Sequence, residues 1–528
     1  MAALLLAQAM QGAIAREPSG GETRQAAIDA EVDAAVARFE LPGLAVGMVE
    51  GGKVTYVRTV GELRVGGGEP VTPATLFKIA SNSKAMTTAL LARLVDQGKL
   101  AWDDPVIKHL PDFRMHDPWV TREIQVRDLL IHNSGLGAGA GDLMLWPEPN
   151  LFTREDVIAG MAHLKPIYSF RSRYAYDNTL YIVAGEVAAA AAGAESYEAL
   201  LRSELFEPLG LERCRVGEWR RDEVGNIAQP HLRIDGRNVP VREDGDTVAA
   251  VPMAAAGGIR CSLDDMLRWI TMWLQPERSG LIDGAPWLSE EQREALWTAH
   301  TPMPLGRRLR EWDGAHFHAY GYGWRLNDAD GRLKVSHTGT LSGMYSAVTL
   351  LPELGVGFVV LMNGGGSDAR SALVQALSKR FTAPEATGRT VDDYADAIAA
   401  EAAADRKDGS TSAPDTSSRQ AADIDSMTPW LGVYRDPWFG EASVCRRGDV
   451  VRFAAARSPM LSGTVMRVGE RRLVDWDEVS VDAEAWLAFA DADTADAPPT
   501  LTMSKVDPQA DFSYDYEDLA FVRVGDCP

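Results

Sequence analysis

Residues 384–424 divide this chain of 528 residues. The segment is rich in Ala, Asp, Ser and Thr, with Gly409-Ser410-Thr411-Ser412-Ala413-Pro414 at its centre. Such a composition buries little apolar surface, so it predicts a linker with one acidic helix around Val391 to Ala404. Folding units must then lie on either side of it. Over 426–528, short β-type runs recur at Leu431 to Tyr434, Ala442 to Arg446, Val450 to Ala454, Trp486 to Ala490 and Leu501 to Val506. Turn residues separate them, which predicts a small all-β sheet or barrel. Over 24–383, helices and strands alternate. Gly43 to Glu50 and Lys53 to Val60 flank Gly51-Gly52 and read as a hairpin. Lys84 to Leu100 has helical apolar spacing, and a helix-rich middle follows. Met344 to Leu351 and Val356 to Met362 are strands around a turn, and Ser367 to Phe381 is a closing helix. Strands at both ends of one stretch predict an α+β unit, an antiparallel sheet flanked by helices.

Charge narrows the partners. Lys plus Arg number 53 and Asp plus Glu 75, a formal charge of −22. So acidic a surface repels phosphate backbones and anionic lipids, which argues against nucleic acid and membrane surfaces. No run approaches the ~18 apolar residues of a spanning helix. Cys214, Cys261, Cys445 and Cys527 are too few for a disulfide scaffold, and none forms a C-x-x-C pair for zinc. Their pairing is not given by sequence. At the N-terminus, Ala2 to Ala9 is apolar and Ala13-Ile14-Ala15 has the form of a signal-peptidase site, without a basic n-region. Two readings follow. Residues 1–15 are a signal-peptide remnant, and the protein is periplasmic or secreted; or they begin an Ala-rich helix, and it is cytoplasmic.

Three short motifs carry chemistry. In Ser81-Asn82-Ser83-Lys84, i,i+3 spacing on a helix brings a hydroxyl and an amine together. Serine is a poor nucleophile until a base takes its proton, and a desolvated lysine is such a base. In Tyr176-Asp177-Asn178, a tyrosine beside a cationic lysine can have a lowered pKa and relay protons, and an asparagine can hold a substrate amide. In His337-Thr338-Gly339-Thr340, a strand with a Thr-Gly pair lets substrate backbone approach, and the N–H groups of Thr340 and Ser81 can form an oxyanion hole. No G-x-S-x-G elbow is present, and Gly364-Gly365-Gly366 lacks dinucleotide-loop spacing. His316 and His318 have no third metal ligand nearby.

The order S-x-x-K, Y-x-N, H-T-G resembles the serine β-lactamase and penicillin-binding-protein superfamily. Leu76 to Ala80, Val126 to Gly135, Ala256-Gly257-Gly258-Ile259 and Gly321-Tyr322-Gly323-Trp324 look like its class C β-lactamase-related branch, which includes D-aminopeptidases, DD-peptidases and esterases. The resemblance covers 24–383. The stretches Tyr434 to Gly440 and Asp511-Phe512-Ser513-Tyr514-Asp515 are similar to an accessory β domain that follows such hydrolases, here 426–528. It implies a β-lactamase-like catalytic fold in which Ser81 is acylated and Lys84 and Tyr176 share acid/base work, with the base undecided between them. Asn178 would orient the acyl amide, and His337, Thr338, Gly339 and Thr340 would line the substrate. No metal or cofactor is implied.

The histidine of the third motif bears on substrate. A lysine there is a permanent cation, whereas histidine, with a reference pKa of ~6.5, is mostly neutral at pH 7. A site without that charge favours carboxylate-bearing β-lactams and peptide C-termini less. The expected activity is hydrolysis of an amide or peptide bond, next to a D-residue or in an unusual peptide. Esterase and β-lactamase activity are the alternatives within the family, and an acylatable sensor without turnover is the alternative of another class. The partner is then a small peptide, amide or ester, and a homo-oligomer is allowed. Residues 426–528 are read as a lid on the cleft or as an oligomer contact.

Overall fold

A computed structural model describes residues 20–384, 388–407, 413–491 and 498–528. The signal-peptide reading of 1–15 and most of the Gly-Ser-Thr centre of the 384–424 segment lie outside these residues. An eight-stranded antiparallel sheet organises the first unit. Its order is Thr301–Pro302, His318–Tyr320, Arg325–Ala329, Arg332–Leu341, Met344–Leu351, Val356–Met362, Gly43–Glu50 and Lys53–Gly61. Early and late strands of this unit thus meet in the sheet, where Gly43–Glu50 pairs with Val356–Met362.

Period-two alternation decides what each face packs. Leu44, Val46 and Met48 face one layer, with Ile28 and Val32 of helix Gly20–Phe39 and Leu373 and Leu377 of helix Gly366–Thr382. Ala45 and Val49 face the other layer, with Leu263, Leu267 and Ile270 of helix Leu263–Leu274. Gly47 lies on that second face, and a Cβ there would come within 2.8 Å of Leu267. Beyond the second layer lies the helix-rich part, carrying Ser83–Asp96 and Thr179–Ala192.

The expectation that 384–424 buries little surface fails over its first helix. Helix Val391–Lys407 packs against the first layer and buries Val391, Tyr394 and Ile398. Those residues stand at i, i+3 and i+7, a core-facing stripe that the average composition of the segment conceals. Glu31 accepts the Val391 N–H at 2.8 Å, so the helix packs as part of the first unit.

The last unit is a closed barrel of eight strands, from Gly432–Asp436 to Ala520–Gly525. Pairing of Ser462–Val468 with Arg471–Trp476 closes it. Tyr434, Val444, Phe453, Val465 and Phe521 are buried, so side chains fill the barrel. Both cysteine pairs are disulfides. Cys445–Cys527 ties the barrel's last residues to its second strand. Cys214–Cys261 braces the two-residue strand that pairs with Phe77–Lys78, just before Ser81. The barrel docks on the helical part: Leu151 N–H donates to Arg457 O at 2.8 Å, and Phe152 and Phe439 rings lie 5.7 Å apart.

Candidate active site

Ser81 lies in a tight turn, Ala80–Asn82, that runs into helix Ser83–Asp96. Ala80 holds φ at 49°, a left-handed conformation costing a non-glycine residue ~1–3 kcal/mol. The sheet holds the turn there: Ser346 Oγ donates to Ile79 O at 2.6 Å and accepts from Asn82 Nδ2 at 2.7 Å. Gly339 makes that approach feasible, because a Cβ at this position would overlap Ile79 O and Ser346 Oγ.

One turn into the helix, Lys84 is wholly buried. Its Nζ stands 3.2 Å from Ser81 Oγ, 2.7 Å from Asn178 Oδ1 and 2.9 Å from Ala256 O. Burial pulls the amine down to about 7; the nearby Arg325 charge adds to this, and Asp142 and Asp177 oppose it. Asn178 caps helix Thr179–Ala192, and its Nδ2 donates to Asp142 Oδ2 at 2.8 Å. Tyr176 reaches Ser81 with its hydroxyl, and Lys84 Nζ lies 4.9 Å over its ring. The expectation that a neighbouring cation lowers this phenol is corrected: burial outweighs Arg325 and the Ser81 hydrogen bond and pushes Tyr176 up to about 12. At neutral pH the phenol therefore holds its proton, while the Lys84 amine is brought into the range where it can lose one. The two groups thus differ in readiness: Lys84 can accept a proton at neutral pH, and Tyr176 can donate one.

The third motif is split by strand alternation. Thr338 and Thr340 line the same cleft as Ser81, Tyr176 and Asn178. His337 does not line it. Its ring points behind the strand, wholly buried, with Tyr320 at 2.8 Å from Nε2 and Thr338 O at 2.8 Å from Nδ1. Burial, helped by the Arg325 and Lys84 charges, holds it neutral far below the usual histidine range. His132 joins the same buried layer, accepting the Asp177 N–H on Nδ1 at 3.1 Å and lying 4.3 Å from the Tyr176 ring.

The expected lack of a fixed cation is also corrected. Arg325 follows Gly321-Tyr322-Gly323-Trp324, lines the cleft, and donates to Thr338 Oγ1 at 2.8 Å. Its guanidinium stands 5.9 Å from the Tyr176 ring centre. Arg370 supports the strand from helix Gly366–Thr382, donating to Gly339 O at 2.6 Å and Thr340 Oγ1 at 2.8 Å. A charged residue opening the strand after the aromatic motif was the one sequence signal for Arg325. Asp142 carried none.

The cleft encloses about 400 Å³, within the range of small-ligand sites. Its outer wall is the barrel, which contributes Ser480, Asp482, Asp511, Phe512, Ser513 and Tyr514. Phe512 meets the Tyr176 ring edge-on at 5.6 Å. Among the described residues no cluster of three or more His, Cys, Asp or Glu side chains is arranged for a metal, and no helix is long and apolar enough to cross a membrane.

Residues 28–379 match the model of a family described as Beta-lactamase. A protein named Unguisins hydrolase ungD' from Aspergillus campestris is 27% identical over 337 residues, 62% of this chain and 59% of that protein. Penicillin-binding protein 4 of Amycolatopsis lactamdurans is 29% identical over 345 residues, 63% of this chain and 84% of that protein. The first of these matches therefore spans about three fifths of the relative's length. The solved structure of the octameric penicillin-binding protein homologue from Pyrococcus abyssi has a similar fold, with TM-score 0.58 and 20% identity, over 94% of this chain and 100% of that one.

Proposed function

This chain belongs to the Beta-lactamase family, a superfamily of serine hydrolases, and we propose that it cleaves amide or peptide bonds of small, carboxylate-bearing substrates through an acyl-enzyme on Ser81. The observation that carries this reading is the setting of Lys84: buried, tuned to about 7, and 3.2 Å from the Ser81 hydroxyl. As a neutral amine it takes the Ser81 proton while Oγ attacks the scissile carbonyl. The N–H groups of Ser81 and Thr340 receive the developing oxyanion. On collapse the C–N bond breaks, and the Tyr176 hydroxyl relays a proton to the leaving amine while the Lys84 ammonium supplies it. The net result is that the serine proton leaves on the amine. A water, deprotonated by Lys84, then hydrolyses the ester and restores Ser81. Arg325 supplies a permanent cation for a substrate carboxylate, the part His337 cannot play from behind the strand. A cleft of about 400 Å³ with the barrel as one wall suits a short peptide, its D-residue preference included in the proposal.

An exported location is part of the same reading. It is supported by two disulfides, which persist in oxidising compartments.

The test is a substrate panel of D-aminoacyl nitroanilides, short peptides, nitrophenyl esters and a chromogenic cephalosporin, run beside Ser81→Ala. Amide or peptide turnover that disappears in the variant is expected. Fast cephalosporin turnover with no amide or peptide cleavage overturns the substrate class. One equivalent of product followed by silence identifies a sensor.

A further inference from the structure

Acylation as proposed above needs the lone pair of Lys84, and not one of its N–H bonds, to face Ser81. A neutral amine has two N–H donors and one lone pair. Ala256 O can only accept, at 2.9 Å. Asn178 presents Oδ1, which also only accepts, at 2.7 Å. These two acceptors use both N–H bonds and leave the lone pair for the Ser81 hydroxyl. If the Asn178 amide were reversed, Nδ2 would donate to Nζ and occupy that lone pair. One orientation of this amide makes the lysine a base; the other disables it.

Asp142 selects the orientation. Its Oδ2 accepts from Asn178 Nδ2 at 2.8 Å, and a reversed amide would set oxygen against oxygen. The same Oδ2 accepts from Ser513 Oγ of the barrel at 2.7 Å. Asp142 follows Gly141, which holds φ at 79°, and the barrel pins this loop by its backbone. Buried Asp515 accepts the Gly141 N–H at 2.6 Å and the Leu143 N–H at 3.1 Å. Phe512 O lies so close to Gly139 that a Cβ there would sit 2.5 Å away. We infer that Asp142 is a positioning residue for acylation, and that the C-terminal barrel, through Ser513 and Asp515, is what keeps it in place. This rests on the acyl-enzyme reading.

The test is the pre-steady-state acetylation of the full chain by p-nitrophenyl acetate, with mass spectrometry locating the acetyl group. Besides Asp142, Lys84 faces Tyr176, Asp177, Tyr181, Arg325, His132 and His337, all left unchanged by the variants. Asp142→Leu is expected to slow acetylation of Ser81 by about 100-fold, the scale of a lost general base. A role through the lysine pKa alone would cause no such loss, because Asp142 raises the Lys84 pKa and its removal leaves more free amine, so the loss is expected at neutral pH and should persist at about pH 9. Asp142→Asn keeps an oxygen for both donors and is expected to stay within about 5-fold of wild type. Equal losses in the Leu and Asn variants, a full rate in the Leu variant, or its recovery at alkaline pH overturns the inference. If Asp142→Leu loses its near-ultraviolet dichroism, Ser513→Ala, at a partly exposed position, decides. A loss of about 3- to 10-fold supports the inference, the scale of one hydrogen bond to the relay, and an unchanged rate overturns it. A wild-type chain acetylated elsewhere than Ser81 overturns the acyl-enzyme reading and this inference together.

Discussion

The cleft has two walls of different construction. The inner wall is Ala80 to Lys84, Tyr176, Asn178 and strand Arg332–Leu341, closely hydrogen-bonded and largely buried. The outer wall is a set of barrel loops around 480–482 and 511–514, with Asp511 and Phe512 exposed to solvent. The inner wall holds donors and acceptors within hydrogen-bonding distance of the nucleophile. The outer wall gives the cleft its enclosure, and it joins the chemistry through the Ser513–Asp142 hydrogen bond. The closely hydrogen-bonded inner wall should set the rate constant of acylation, and the solvent-exposed loops of the outer wall should set which substrates fit.

Four measurements sharpen or break that contrast. The largest effect is expected for Lys84→Met. It removes the base, and acylation should fall by about 10³-fold or more, on the scale of general-base catalysis. In the wild-type protein the acylation rate should rise with pH through about 7, the value to which burial lowers Lys84, because only the unprotonated amine accepts the serine proton. It should fall away below that value. A profile flat between about pH 5 and 9 would remove Lys84 from the role of base. Next comes Arg325→Ala, which should raise KM about 10- to 100-fold for carboxylate-bearing substrates and much less for their amides, the scale of a charge-assisted hydrogen bond. An equal change for both classes would give Arg325 a purely structural part. The smallest is Phe512→Ala on the outer wall, which should change KM by about 5-fold and leave kcat nearly intact. A kcat loss matching that of Lys84→Met would break the division between the walls.

The inner wall was legible because its chemistry depends on short spacings. Ser81 and Lys84 are one helical turn apart, and Tyr176 and Asn178 sit together at a helix start. His337 was misassigned for a reason also visible in the chain: on a strand, Thr338 and Thr340 share a face, and His337 belongs to the opposite one. Arg325 reaches the cleft through the pairing of Arg325 with Ser336 across neighbouring strands, a register that local sequence does not reveal. Helix Val391–Lys407 was hidden by averaging, since its few buried side chains are diluted by Ala and Asp. Asp142 is a single acid in a glycine-rich loop, and only its burial under the barrel distinguishes it.

By itself the sequence determined the family, the pairing of Ser81 with Lys84, and the division into an α+β unit and a β unit. These follow from local periodicity and from residues close along the chain. Tertiary structure decided which groups are charged and what closes the cleft. The pKa of Lys84 and Tyr176 depends on desolvation by segments far away in sequence, and the Lys84–Asn178–Asp142–Ser513 chain brings together four such segments. Its last link, Ser513 to Asp142, exists only once the barrel has docked.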